Sequence, residues 1–291
     1  MDRRDFVRDS LFSLFAMNSL KDLQKFTDTF AYHDTKMPVL FAGHGNPMNA
    51  IEKNEFSNTW ETMGKQLPKP AAILCVSAHW ETRGTFVTAM QKPKTIHDFG
   101  GFPQELFDVE YPAPGNPELA NSIKTGIKKT EIKLDEEWGL DHGCWSVIRK
   151  MYPDANVPVL QLSLDYTKPA QWHYELAKEL APLRNKGILI VGSGNMVHNL
   201  GMVNWRDLNG PGYNWAIEIN ETFKKLIAEN RHKDLINYQS LGKAATLAIP
   251  SPDHWLPLLY ALALKDEKEG TDFFNDKTLM GSLSMTSVKI A

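Results

Sequence analysis

Nine histidines stand in the 291 residues, and the setting of four of them suggests chemistry. His44 follows the apolar run PVLFA in the segment GHGNP, and His79 follows AAILCVS in AHW. His198 lies just beyond GILIVG, inside GSGNMVHNL, and His254 in PSPDHWLP falls in the expected opening turn of a helix. A fifth, His142 in LDHGCW, opens another expected helix. Neutral imidazole is the commonest protein metal ligand, and three or four around one point suit zinc, iron, copper or nickel better than magnesium or calcium. One such histidine alone would be read as a loop residue bonded to backbone; the recurrence of the placement is what points to a metal. His33, His173 and His232 fall on expected helix or linker surface and are read as having no functional role.

Those positions need elements to hold them. From Met37 onward short apolar runs with β-branched residues alternate with longer helical segments, the pattern of an α/β layered domain. Strands are expected at 38–42, 71–77, 157–163 and 187–192, and helices at 55–66, 117–129, 143–151, 171–183, 213–229 and 254–264. Open α/β sheets bind ligands beyond the carboxyl ends of their strands, where His44, His79 and His198 fall. No repeat or Gly/Ser linker divides residues 37–291, so one domain is expected there. Residues 1–36 read as an N-terminal extension of a different kind. Arg3 and Arg4 followed by a moderately apolar stretch resemble a twin-arginine export signal. Val7, Leu11, Leu14, Phe15, Leu20, Leu23 and Phe26 equally fit an amphipathic helix. Asp9, Asn18 and Lys21 spoil the export pattern and no A-x-A site follows, so a cytoplasmic location is expected, with the periplasm as the alternative.

Composition removes several function classes. Lysine and arginine number 32 against 35 acidic residues, a net charge of −3 that offers nucleic acid no basic surface. The longest apolar runs fall far short of the roughly 20 residues of a membrane helix. Cys75 and Cys144 form no C-x-x-C pair, and Cys75, inside an apolar strand, reads as an inert buried thiol. The turn GSGN lacks the third glycine of a dinucleotide site, since Val197 stands there. Neither G-x-S-x-G nor H-E-x-x-H occurs. Residues 96–115 read as a loop whose Phe99, Phe102 and Tyr111 could close over a flat ligand or simply anchor the chain. Trp80, Trp145 and Trp255, each near a candidate histidine, could wall a pocket or pack.

Taken together, GHGNPMNAIE, VSAHWETRG, TIHDFGGFP, YPAPG, DHGCW, MYPDANVPVLQLSLD, GSGNMVHNL, PSPDHWLPLLY and MGSLSMTSV are specific. In this order they resemble the 4,5-DOPA extradiol dioxygenase group of the class III (LigB-type) extradiol ring-cleaving dioxygenases, from about Met37 to the C-terminus. The resemblance implies a single three-layer α/β/α domain with a mixed, mostly parallel central sheet and one divalent metal ion at the strand ends. Carried over by motif, His44, His79 and His254 are implied metal ligands. His198 is implied as acid/base or fourth ligand, and His142 as a catalytic histidine near the pocket. Many class III enzymes complete the site with a glutamate, where this chain offers His254 beside Asp253. An all-imidazole site suits zinc, so zinc is expected as the ion bound, while Fe(II) is required for oxygenation.

The implied activity is 4,5-cleavage of a catechol such as L-DOPA to a semialdehyde, with O2 as co-substrate. His198, poised near pH 7, would take a catechol proton and later return one. A DOPA carboxylate would want a cation, and Arg83 is the nearest candidate. The alternative is a zinc-dependent hydrolase using the same histidines to activate water. A third reading is a metal- or catechol-binding protein without turnover.

Overall fold

The computed structural model describes residues 36–291, so the N-terminal export-signal or helix reading and His33 lie outside the described residues. The central sheet has six strands: β1 (Val39–Gly43), β2 (Ala72–Ser77), β3 (Val159–Gln161), β4 (Ile188–Gly194), β5 (Thr271–Phe274) and β6 (Ser287–Ile290). Their order is β3-β2-β4-β1-β6-β5. The first four run parallel; β6 joins β1 antiparallel, and β5 joins β6 antiparallel. The sheet is therefore mixed and mostly parallel, as expected, but β5 and β6 extend it beyond the four strands read from sequence.

Six helices of eight residues or more are described: α1 (Glu55–Gln66), α2 (Pro117–Gly126), α3 (His142–Met151), α4 (Ala170–Lys178), α5 (Asn214–Ala228) and α6 (Leu256–Ala263). Alternate residues of each strand point to opposite faces, which makes two cores. Val39, Phe41, Leu74, Val76, Ile188 and Ile190 pack with α2, α4, α5 and α6. Leu40, Ala42, Ile73, Cys75, Leu189 and Val191 pack with α1 and α3 through Trp60, Trp145 and Ile148. The result is three layers, helix on sheet on helix.

Local chemistry sets the helix ends. Asn54 and Ser57 form a reciprocal capping box on α1, and Asp141 caps α3 by accepting from the Cys144 N–H at 3.0 Å. The helix expected over 171–183 divides instead into α4 and a separate turn, Ala181–Arg184. Pro182 lacks the N–H that a continuous helix requires there. The loop read at 96–115 contains a short helix, Gln104–Phe107. His173 is not on the surface as expected: it is fully buried on α4, between the Tyr260 hydroxyl at 3.1 Å and the Asp165 carbonyl at 3.2 Å. His232 is half-buried, 2.8 Å from the Tyr174 hydroxyl.

Register aligns the functional ends. Gly43 lies opposite Gly194, and Ser77 opposite Ser193, so β1, β2 and β4 stop at one level. His44, His79 and Asn195 therefore emerge side by side.

Candidate metal centre

His44 leaves β1 with its N–H on the Gly194 carbonyl at 3.2 Å, and His79 follows β2 by two residues, its N–H on Ser77 Oγ at 3.2 Å. His254 sits in the turn two residues before α6, not in the helix itself, and its carbonyl accepts from Asn195 N–H at 3.1 Å. The rings of these three form a nearly equilateral triangle, with centroids 5.0, 5.0 and 5.1 Å apart. His142, first residue of α3, lies 4.0 Å from the His79 ring. His198 stacks on His254 at 3.5 Å, and its N–H is fixed on the Ala248 carbonyl at 2.9 Å. All five sequence-predicted histidines thus meet at one cavity of about 540 Å³.

The outer ring nitrogens decide which atoms face inward. Ser193 Oγ donates its one proton to the Gly143 carbonyl at 2.5 Å, so at His44 Nδ1, 3.0 Å away, it accepts. Asn195 Nδ2 donates to the Ser284 carbonyl at 2.8 Å, which turns Oδ1 toward His254 Nδ1 at 3.0 Å. The Asp98 carboxylate lies 3.3 Å from His79 Nδ1. Each Nδ1 therefore carries the proton, and each Nε2 presents a lone pair. His44 and His79 bring two such nitrogens 3.1 Å apart, an arrangement that a shared cation relieves. Two ligands at about 2.1 Å from one ion, separated by 90–110°, stand about 3.0–3.4 Å apart. The residues fit a metal ion.

By nearest donor atoms two groups form, His44 with His79 and His142, and His198 with Asp253 and His254. The ring triangle instead joins His254 to His44 and His79. The triangle is the stronger guide to the ligands, because all three of its members have an outer acceptor that fixes the tautomer. His142 Nδ1 also faces Asp98, 3.1 Å away but off the line of a good hydrogen bond, while its backbone N–H donates to Asp98 Oδ1 at 2.9 Å.

Electrostatics keep the cluster neutral. Burial, then the mutual charges of neighbouring histidines, hold His44 and His254 far below the ordinary histidine range. Burial and His142 lower His79 against the opposing pull of Asp141 and Asp98. Burial lowers His198 to about 4, with Asp253 opposing, so it is neutral at pH 7 rather than poised there. Burial would raise Asp98, but the close His142 side chain and backbone N–H, then the charge of His79, outweigh it and leave the carboxyl low. Glu81, at the rim, is raised by burial and then by Asp253.

Several supporting residues escaped sequence reasoning. Asp98, Ser193 and Asn195 hold the three outer nitrogens, and Asp141 holds Ser77 Oγ at 2.7 Å and Gln161 Nε2 at 2.6 Å. Their signal was weak: Asp98 lies two residues before a glycine pair, Ser193 and Asn195 at a strand end, and Asp141 six residues beyond the short strand Ile132–Asp135. Gly143 permits the close approach of α3, since a Cβ there would meet Ser77 Oγ at 2.6 Å and His79 Cδ2 at 2.8 Å. Trp80, Trp145 and Trp255 are buried and pack; the aromatic cavity walls are Phe99, Phe102 and Trp205. Arg83 does not line the cavity: it is exposed, its Nε 3.4 Å from the Tyr166 hydroxyl.

Comparison with known proteins gives this geometry its context. Residues 35–286 match the family described as the catalytic LigB subunit of aromatic ring-opening dioxygenase. A protein of Escherichia coli K12 named 4,5-DOPA dioxygenase extradiol is 50% identical over 260 residues, covering 88% of this chain and 95% of that one. Proteins of the same name from Beta vulgaris and Portulaca grandiflora are 34% and 36% identical, covering 88% and 86% of this chain and 97% and 94% of theirs. A crystal structure of an uncharacterised Escherichia coli K12 protein superposes with a TM-score of 0.77 at 45% identity, covering 88% of this chain and all of that one. Matched by the family model along most of its length and half identical to one named relative, the chain belongs to the LigB family of aromatic ring-opening dioxygenases.

Proposed function

We propose that this protein opens the ring of a catechol such as L-DOPA beside its two hydroxyls, 4,5-cleavage in the DOPA case, with O2 as co-substrate and a single metal held by His44, His79 and His254. The observation that carries the reading is the triangle of three imidazoles, each with Nδ1 tied to a protein oxygen and Nε2 left bare. Iron(II), when bound there, supplies the redox change that links electron loss by the ring to oxygen reduction, which zinc lacks. Zinc remains the ion such an all-imidazole set would retain on isolation.

The chain's own groups do the rest. Phe99, Phe102 and Trp205 receive a flat ring and shed its water. His198, held by the Ala248 carbonyl and against the His254 ring, accepts a catechol hydroxyl proton and returns it as the ring opens. His142, oriented by Asp98, is the second proton carrier at the cavity. Both oxygen atoms of O2 end in a hydroxymuconic semialdehyde-type product. Residues 37–291 act as one catalytic domain. We read the compartment as the cytoplasm because Asp9, Asn18 and Lys21 interrupt the twin-arginine pattern; among the described residues no helix is long and apolar enough to cross a membrane.

The test is oxygen uptake with L-DOPA and simple catechols, on protein stripped of metal and reloaded anaerobically with Fe(II) or zinc. Uptake with iron and not with zinc is expected. No uptake by a fully iron-loaded protein across the catechol panel overturns the proposal.

A further inference from the structure

The charge of the catalytic cavity is one-sided. Glu81, Asp98 and Asp253 line it, and among the described residues no lysine or arginine does. Asp98 is committed to His79 and His142, and Asp253 Oδ2 lies 3.7 Å from His254 Nε2. Glu81 is different. It stands on the short strand Glu81–Thr82, immediately beyond the His79 turn, exposed at the rim, and among the described residues its carboxylate has no hydrogen bond or ion pair. Asp253 lines the same cavity. Leu200 and Trp205 line the same cavity and are exposed, with relative accessibilities of 54% and 66%. A substituent on the catechol ring that reaches this rim meets a free carboxylate, a second negative charge and an aromatic face. That is a setting for an ammonium, which both carboxylates and indole rings attract. It is a poor setting for a carboxylate, which would meet like charge and find no cationic partner.

We propose that Glu81 is a specificity-determining residue that selects catechols bearing a cationic amine on the side chain and disfavours those bearing a carboxylate. This rests on the catechol reading above for the position of the ring. It predicts that dopamine, which has the amine alone, is taken in preference to 3-(3,4-dihydroxyphenyl)propionate, which has the carboxylate alone. L-DOPA, having both, falls between.

Equilibrium binding to zinc-loaded, full-length protein tests the proposal without turnover. Both probes present the same catechol, so metal affinity cancels in their ratio. Dopamine is expected to bind about tenfold more tightly, the ratio that 1.4 kcal/mol of differential binding gives. Glu81→Gln should reduce that ratio at least threefold and Glu81→Lys should invert it; circular dichroism checks that these rim variants fold. Equal affinities in the wild-type protein, or a ratio unchanged by both substitutions, would overturn the proposal. Oxygen uptake by the iron-loaded enzyme is scored separately: an amine preference without uptake sinks the ring-opening reading while supporting Glu81 as the selector.

Discussion

Replacing Asn195 by alanine removes the acceptor that fixes the proton of His254 on Nδ1, while leaving the backbone contact between Asn195 N–H and the His254 carbonyl in place. Two separable losses follow. Without its outer partner the imidazole can rotate or change tautomer, and loss of such a partner lowers metal affinity by about 10–100-fold, or about 1.4–2.7 kcal/mol. The Ser284 carbonyl also loses the Nδ2 donor at 2.8 Å, which costs about 1–3 kcal/mol of folding stability. For a domain of this size that stability loss lowers Tm by roughly 2–4 °C per kcal/mol. Asn199 supplies the control: its Nδ2 donates to the Leu247 carbonyl, also at 2.8 Å, and among the described residues its side chain makes no hydrogen bond to His44, His79 or His254. Asn199→Ala should lower the Tm of metal-free protein by a similar amount yet leave metal affinity within about threefold of wild type. Zinc affinity is read by competition with a chromogenic chelator, and Tm by circular dichroism after stripping the metal. If Asn195→Ala binds zinc as wild type does, or if both variants lose the same affinity, the tautomer argument is wrong.

Three further outcomes test other parts of the structure. His79→Ala should lose metal, whereas His198→Ala should retain it and lose about 10²–10⁴-fold in turnover as the proton carrier; elemental analysis beside the rate separates the two roles. Gly64→Ala should destabilise by about 1–2 kcal/mol, because a Cβ there would lie 2.1 Å from the Met151 carbonyl where α1 meets α3. Helix propensity alone favours alanine by about 1 kcal/mol, so a raised Tm would show that the packing argument fails. Glu269 pairs with the buried Arg184 guanidinium, which also donates to the Met37 and Leu264 carbonyls, so Glu269→Gln should cost about 3 kcal/mol. Burial raises the Glu269 carboxyl, but Arg184 and neighbouring donors together hold it below its usual value of 4.5. A carboxyl with a depressed folded pKa stabilises above its unfolded pKa and loses that contribution as pH falls through the folded one. The urea midpoint of wild type should therefore fall further below pH 4.5 than that of Glu269→Gln, and parallel acid profiles would refute the assignment.

The histidine placements could be read from sequence because parallel strands are continuous apolar runs, and whatever follows such a run lies at the ligand-binding edge. His44 and His79 needed only the ends of PVLFA and AAILCVS to be found. Asp98 could not be found that way: it stands in a loop, and its contacts with His79 and His142 depend on how residues 90–103 cross the cavity. β5 and β6 were missed because TDFF and SVKI are short and carry polar residues; β5 is a partly exposed edge strand, whereas β6 is mostly buried between β1 and β5. His173 was misplaced because polar neighbours on α4 resemble an exposed face, while its own side chain turns inward to Tyr260. Arg83 follows a strand end as His44 and His79 do, yet a short strand intervenes and carries it outward, leaving Glu81 at the rim.

The place of β1 in the sheet has a consequence for biosynthesis. Its two neighbours are β4, some 150 residues later, and β6, almost 250 residues later. The first strand of the described residues is thus flanked on one side by the last, and His44 reaches the level of His254 through its pairing with β4. Such distant pairings make folding slow, and the emerging chain keeps an unsatisfied strand edge until translation is nearly complete. A polypeptide released before Ser287 would retain that open edge of β1, apolar through Val39 and Phe41, as a template for pairing with other chains. Metal acquisition is therefore a late event in the life of the polypeptide, and premature termination should yield aggregates rather than a partly active enzyme.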